Sequence, residues 1–364
     1  TNRLLNAGDT IALGTPIFTP YLEMPHLEDY DLKIVNIQAT QENRWQFDDA
    51  ELDKLLDPKI KAFFLVNPGN PSAVALSAKT IAKIGAIIKK RPDLILLTDD
   101  VYGTFVPGFR SLLGAYPYNT IGVYSYSKYF GCTGWRLGVI AVHEDNLFDK
   151  LIAQHPEPVL KKIDKRYSAL TLEPRKMRFI DRIVADSRDV ALNHTAGLSL
   201  PQQVMMLLFS AYELMDTKKH YQKACMGIVK KRVEATLEGL GLDVPSNELH
   251  DNYYGLIDFE YWARKNLGED VVAWMKENVH PLDIVFRLAE DHGIVLLNGS
   301  GFEAPDWSVR VSFANLDDHV YDDIGRAVKA VARGYRQAYE ASKGKAVKTS
   351  TAKAKAVPKP RAKK

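Results

Sequence analysis

A chain of 364 residues, 46% hydrophobic and 26% charged, has the balance of a soluble globular protein with room for two domains. It offers no run of roughly 20 apolar residues able to cross a bilayer, no signal-peptide pattern in its opening TNRLLNAGDTIAL, and only two cysteines, Cys132 and Cys225, too few for a disulfide framework or a zinc cluster. The net charge of +3 conceals an asymmetry, because Lys343–Lys364 hold nine Lys/Arg and no acid, leaving 39 basic against 45 acidic residues in the body.

A reducing cytoplasm is the simplest compartment, and no metal is expected. Thr10–Leu13 and Lys33–Ile37 are short apolar runs of strand type. Ile60–Val66 reads as a buried strand ending in a Pro/Gly/Asn turn. Ser77 then caps a helix, SAKTIAKIGAIIKK, with apolar residues at helical spacing. Leu94–Thr98, Ile121–Ser125 and Leu137–Val142 are further strands. This alternation predicts an α/β fold, a mostly parallel sheet with helices on both faces, whose ligands bind beyond the carboxyl ends of the strands. After Asp145 the chain becomes charged and helix-prone, and residues 146–193 are expected as a helical insertion. A long helical region is predicted from about Gln202 to Leu242, then a strand over Tyr253–Phe259 and a helix over Leu282–His292. Strands over Ile294–Leu297 and Ser308–Phe313 follow, and a last helix runs to about Ala341. The expected division is a large domain over 1–222, a smaller α+β domain over 223–342, and a solvated, disordered basic tail over 343–364, with neither nucleic acid nor membrane as a partner.

Four segments at strand ends carry the chemistry: NPGNPS (67–72), DDVY (99–102), SYSKYFGCTGWRLG (125–138) and SVRVSF (308–313). In the third, glycines let the backbone approach a ligand closely. Ser125, Ser127 and Arg136 make a site for a dianionic phosphate. Lys128 lies in the same loop, placed to form a Schiff base with an aldehyde whose phosphate is held there. Asp99 follows the apolar strand LILLT, and a carboxylate at a buried strand end needs a cationic partner such as a protonated ring nitrogen. Asp100 suits a turn cap better. Tyr102 and Asn70 are placed to hydrogen-bond a phenolate oxygen on the same ring.

Together these segments resemble the signature set of fold-type I aminotransferases, in order and spacing, over about residues 1–342. The resemblance implies pyridoxal 5'-phosphate as cofactor and Lys128 as the catalytic, cofactor-bearing lysine. It implies Asp99 as partner of the ring nitrogen, Asn70 and Tyr102 on the ring oxygen, and Ser125, Ser127 and Arg136 on the phosphate. Phe18 takes the place of the aromatic that stacks on the ring, and Arg310 that of the arginine gripping the substrate α-carboxylate. A nearer likeness is carried by GDTIALGTPIFTPYLEMP, SYSKYFGCTGWRLGVIAVHEDN, NHTAGLSLPQQ and LLNGSGFEAPDWSVRVSFANLDD. It is to the members of that family that remove the β-carboxylate of L-aspartate, giving L-alanine and CO2, with transamination as a side activity. Plain aspartate transamination and a non-catalytic ligand-sensing domain are the alternatives. Thr195 would then lie near a neighbouring subunit's site, in a homodimer with shared sites or a larger assembly of dimers. The family pattern also expects, ahead of Thr1, an N-terminal arm and a Gly/Thr/Ala-rich phosphate loop.

Overall fold

The computed structural model describes residues 4–27, 31–190, 197–242 and 247–345. Six strands form the main sheet: β1 (Thr10–Thr15), β2 (Lys33–Gln38), β3 (Ile60–Val66), β4 (Ile95–Asp99), β5 (Thr120–Ser125) and β6 (Gly138–Val142), in the order β2-β1-β3-β4-β5-β6. All neighbours are parallel except β5 and β6. The residues between those two strands are used in two short helical turns, Tyr126–Tyr129 and Thr133–Trp135. Those that remain are too few to run back across the sheet, so β6 returns antiparallel.

Side chains alternate across this sheet, as a period of two requires. Ile11, Leu13, Ala62, Phe64 and Ile95 face one layer. Ala12, Phe63, Leu65 and Leu96 face the other, beneath Ile81, Ile84 and Ile87 of the helix Ala78–Lys90. Ser77 caps that helix, its Oγ accepting from Thr80 N at 3.1 Å. The first layer is completed by Phe148, Ile163, Tyr167 and Phe179. These come from helices Leu147–Ala153, Glu157–Tyr167 and Phe179–Val190. The helical segment expected as an insertion therefore covers a face of the sheet, where its apolar stripe is buried.

A second, antiparallel sheet contains β7 (Tyr254–Asp258), β8 (Leu297–Asn298) and β9 (Ser308–Ser312), in the order β7-β9-β8. The strand expected over Ile294–Leu297 shrinks to Leu297–Asn298, since only Leu297 and Asn298 find partners on β9. Phe259 starts a helix capped by Asp258 instead of ending a strand. The long helical region is broken: Leu200–Met215 and His220–Leu240 are separate helices, with Lys219 in a left-handed conformation between them. The expected division at 222/223 falls in the first turn of His220–Leu240. Val229 and Val233 of that helix join a cluster with Val101, Tyr102 and Phe105 of the main-sheet region. Leu240 joins the core of the second sheet. The final helix runs from Val320 to Lys345, so the first three residues of the tail expected to be disordered over 343–364 are helical, and the rest of it falls outside the described residues. Among the described residues no helix is long and apolar enough to cross a membrane.

Candidate active site

The parallel strands set the site. Val66 at the end of β3 pairs with Asp99 at the end of β4, and Asp99 pairs with Val123 of β5. The turns after these three strands therefore emerge side by side, at the edge where α/β sheets bind ligands. They deliver Asn70, Tyr102 and Lys128. From the second sheet, β9 brings Arg310 and β7 brings Tyr254.

These groups form one connected array. Asn70 Nδ2 donates to the Tyr102 hydroxyl at 3.4 Å, and Asn70 Oδ1 accepts from Arg310 Nη1 at 3.0 Å. The Arg310 guanidinium lies between two rings, 4.2 Å from the centroid of Tyr254 and 4.7 Å from that of Phe302. Its Nε is buried and has no partner among the described residues. Lys128 Nζ donates to the Tyr254 hydroxyl at 3.5 Å.

Asp99 Oδ2 accepts from the Tyr21 hydroxyl at 3.0 Å, and Oδ1 from Val101 N at 3.2 Å. Burial pushes the Asp99 carboxyl above its ordinary value, while the Tyr21 and Val101 hydrogen bonds and the charge of Lys128 pull it back. Burial and the Asp99 charge together drive the Tyr21 phenol up, so it stays a donor. It is Asp99 that caps the turn through Val101. Asp100 instead accepts from Thr98 Oγ1 at 2.6 Å, and burial pushes its carboxyl up to about 6.

Ser125, Ser127 and Arg136 form a second group. The Ser125 and Ser127 hydroxyls are 2.9 Å apart, and Ser125 Oγ caps the turn by accepting from Ser127 N at 3.1 Å. Thr133 Oγ1 donates to Ser127 O at 3.1 Å, and Arg136 Nη1 donates to Thr133 O at 3.0 Å. Gly131 adopts φ +59°, which only glycine takes without strain. The Arg136 side chain is exposed and makes no contact with the Lys128 array. Phe18 is 39% exposed, so it is not a core residue, although Ile17 beside it is buried. Thr195 lies outside the described residues.

Tyr21, Tyr254 and Phe302 were not legible as site residues. Tyr21 falls three positions after Phe18, in a short helix Thr19–Glu23 whose apolar spacing could have suggested a second inward aromatic. Nothing local marks Tyr254 or Phe302. Among the described residues, no group of three His, Cys, Asp or Glu is placed to hold a metal ion.

The chain matches the family Aminotransferase class I and II over residues 2–328, and it belongs to that family. It is 49% identical over 339 residues to a Pseudomonas protein named bifunctional aspartate aminotransferase and L-aspartate beta-decarboxylase, a match covering 93% of this chain. The chain spans 64% of the length of that relative. A more distant relative is nicotianamine aminotransferase B of Hordeum vulgare, 25% identical over 81% of this chain and 46% of its own. Among solved structures, the aspartate aminotransferase of Thermus thermophilus with maleate superposes with a TM-score of 0.63 at 18% identity, covering 91% of this chain and 71% of that one. That of Rhizobium meliloti gives 0.62 at 19% identity, covering 91% and 72%. The fold is thus that of fold-type I aminotransferases, as the motifs led one to expect.

Proposed function

We propose that this chain is the larger part of a pyridoxal-phosphate enzyme that removes the β-carboxylate of L-aspartate, giving L-alanine and CO2, with transamination of aspartate as a second activity. The observation that carries this reading is the 49% identity, over 93% of the chain, to a protein named for both activities.

The residues present fit the cofactor. Among the described residues Asp99 accepts hydrogen bonds from Tyr21 and Val101 but contacts no cation, which suits a protonated ring nitrogen. Lys128 is the amine that would hold the aldehyde carbon, and Asn70 and Tyr102, already in contact, would share the ring oxygen. Ser125, Ser127 and Arg136 would hold the phosphate, and Phe18 would cover the ring. When bound, pyridoxal phosphate supplies a conjugated sink for electrons released at the substrate's α- or β-carbon.

The chain's own residues do the rest. Arg310 binds the substrate α-carboxylate, its orientation fixed by Asn70 on one side and by the Tyr254 and Phe302 faces. Lys128, once its amine is free, takes the proton from Cα and returns it. Asp99 keeps a proton on the ring nitrogen. Loss of the β-carboxylate would be favoured where water is excluded and no bidentate arginine holds that group, and Cβ would take up a proton as CO2 leaves.

Replacing Arg310 by lysine keeps a charge but loses the planar fork. The expected result is a rise in KM for L-aspartate of roughly 10- to 100-fold, the worth of one or two charge-assisted hydrogen bonds, with a smaller change in kcat. Steady-state kinetics on the full-length protein checks this.

We also place a second copy of the chain on the helix Leu200–Met215. Its Met205, Met206 and Phe209 pack behind the SYSK turn. Leu200, Leu207, Leu208, Leu214 and Met215 stay exposed on its other side, a patch suited to an interface. Thr195, shortly before this helix, is proposed to serve the neighbouring subunit's site. The free thiols of Cys132 and Cys225 suit a reducing cytoplasm.

The deciding experiment supplies the full-length protein with L-aspartate and no keto-acid acceptor. Sustained CO2 release with matching alanine is expected. A single half-turnover that stops at oxaloacetate would make it a plain aminotransferase instead.

A further inference from the structure

We propose that Tyr254 is a positioning residue for this site: its hydroxyl holds the Lys128 amine at the centre and its ring is the platform on which Arg310 stacks. The proposal rests on the reading of Lys128 and Arg310 given above.

Tyr254 is the side chain on which that array converges. Its hydroxyl is 3.5 Å from Lys128 Nζ. Its ring lies 4.2 Å under the Arg310 guanidinium and 5.4 Å, edge to face, from the Tyr102 ring. The register explains the second contact. Tyr254 pairs with Ser312 and Leu256 with Arg310 across β7 and β9. Tyr254 and Arg310 are thus diagonal neighbours on one face of the sheet, within reach of long side chains.

The backbone beneath Tyr254 is clamped. Asp251 is buried, and its Oδ1 accepts from Tyr253 N at 2.7 Å. Asp251 N in turn donates to Ala73 O at 2.8 Å, tying the start of β7 to the turn that carries Asn70. A tyrosine so placed, with its hydroxyl on the amine and its ring packed against a second phenol ring, can restrict where a four-carbon lysine stem places its nitrogen. Phenylalanine would keep the platform and lose the tether. Leucine would lose both.

Three measurements on the full-length protein test this. First, Tyr254→Phe is expected to lower kcat on L-aspartate by roughly 10-fold or more while KM changes little, because a misplaced lysine slows proton transfer without loosening the carboxylate grip. Tyr254→Leu is expected to raise KM about 10-fold in addition. Second, Lys128 in cofactor-free Tyr254→Phe is expected to react with acetic anhydride about two- to tenfold faster than in the wild type, as a lost hydrogen bond allows. Third, in Lys128→Ala rescued by methylamine, Tyr254→Phe is expected to cost far less than it does with Lys128 present. An unchanged kcat in Tyr254→Phe, unchanged labelling, or an equal cost in the rescued background overturns the proposal. Wild-type turnover by Lys128→Ala alone would instead overturn the reading of the site on which it rests.

Discussion

Lys128→Ala is expected to lower turnover of L-aspartate by at least roughly 10⁴-fold, the upper range for losing a positioned proton-transfer group. On the proposed reading Lys128 would carry two tasks, covalent and proton-transferring. Among the described residues it is the one lysine in the array built from Asn70, Asp99, Tyr102, Tyr254 and Arg310. It also stands on the turn that follows β5, where Ser125 fixes the backbone through Ser127 N. A primary amine of small size should restore part of the rate, since the cavity left by the stem admits it. The covalent role has its own readout. Borohydride reduction of the cofactor-loaded protein should mark the peptide containing SYSK, and a mark on any other peptide would assign the role elsewhere.

Asp99→Asn is expected to lower kcat by roughly 10²- to 10³-fold, with KM for L-aspartate nearly unchanged. The figure corresponds to breaking a buried charge pair, about 3–5 kcal/mol. The amide is nearly isosteric: its oxygen can keep accepting from Val101 N while its NH2 donates to a Tyr21 hydroxyl turned to accept, so the fold should melt close to the wild type. What is lost is the negative charge that, on the proposed reading, would stabilise a protonated ring nitrogen. Tyr21→Phe provides the graded comparison. Tyr21 donates to Asp99 Oδ2 at 3.0 Å, and without that bond only the Val101 hydrogen bond and the Lys128 charge oppose burial at the carboxyl. Its protonation is then favoured further, and activity is expected to fall off at higher pH on the acidic side than in the wild type. A pH–rate profile unchanged by Tyr21→Phe would show that the bond has no bearing on the state of Asp99.

The motifs that were legible are those whose chemistry is contiguous in sequence. Ser125, Ser127, Lys128 and Arg136 share one turn, and Asp99 and Tyr102 share another, so strand-end placement and side-chain type sufficed. The partners that fix them come from far away. Tyr21 reaches Asp99 and Tyr254 reaches Lys128 across folded distance alone, and no periodicity signals such a meeting. Strand direction was equally hidden: β6 has the apolar alternation of its parallel neighbours, and only the way residues 126–137 are used makes it run back. The Ile294–Leu297 run failed for a related reason. Its composition suits a strand, but Val295 is 82% exposed, and only Leu297 and Asn298 find partners on β9. Conversely, Asp100 was expected as the turn cap, but it is Asp99 that caps the turn through Val101 N.

The bond from Arg310 to Asn70 is one of the polar links between the two sheets, beside that of Lys128 to Tyr254. A shift of one sheet against the other would strain the Arg310–Asn70 contact together with the apolar cluster the two regions share. The Asn70 amide also donates to Tyr102, so a displacement of Arg310 reaches that phenol through one side chain. On the proposed reading, capture of the ligand's terminal anion and tuning of the reactive ring would become a single mechanical event, and a molecule too short to span both would leave the latch half engaged.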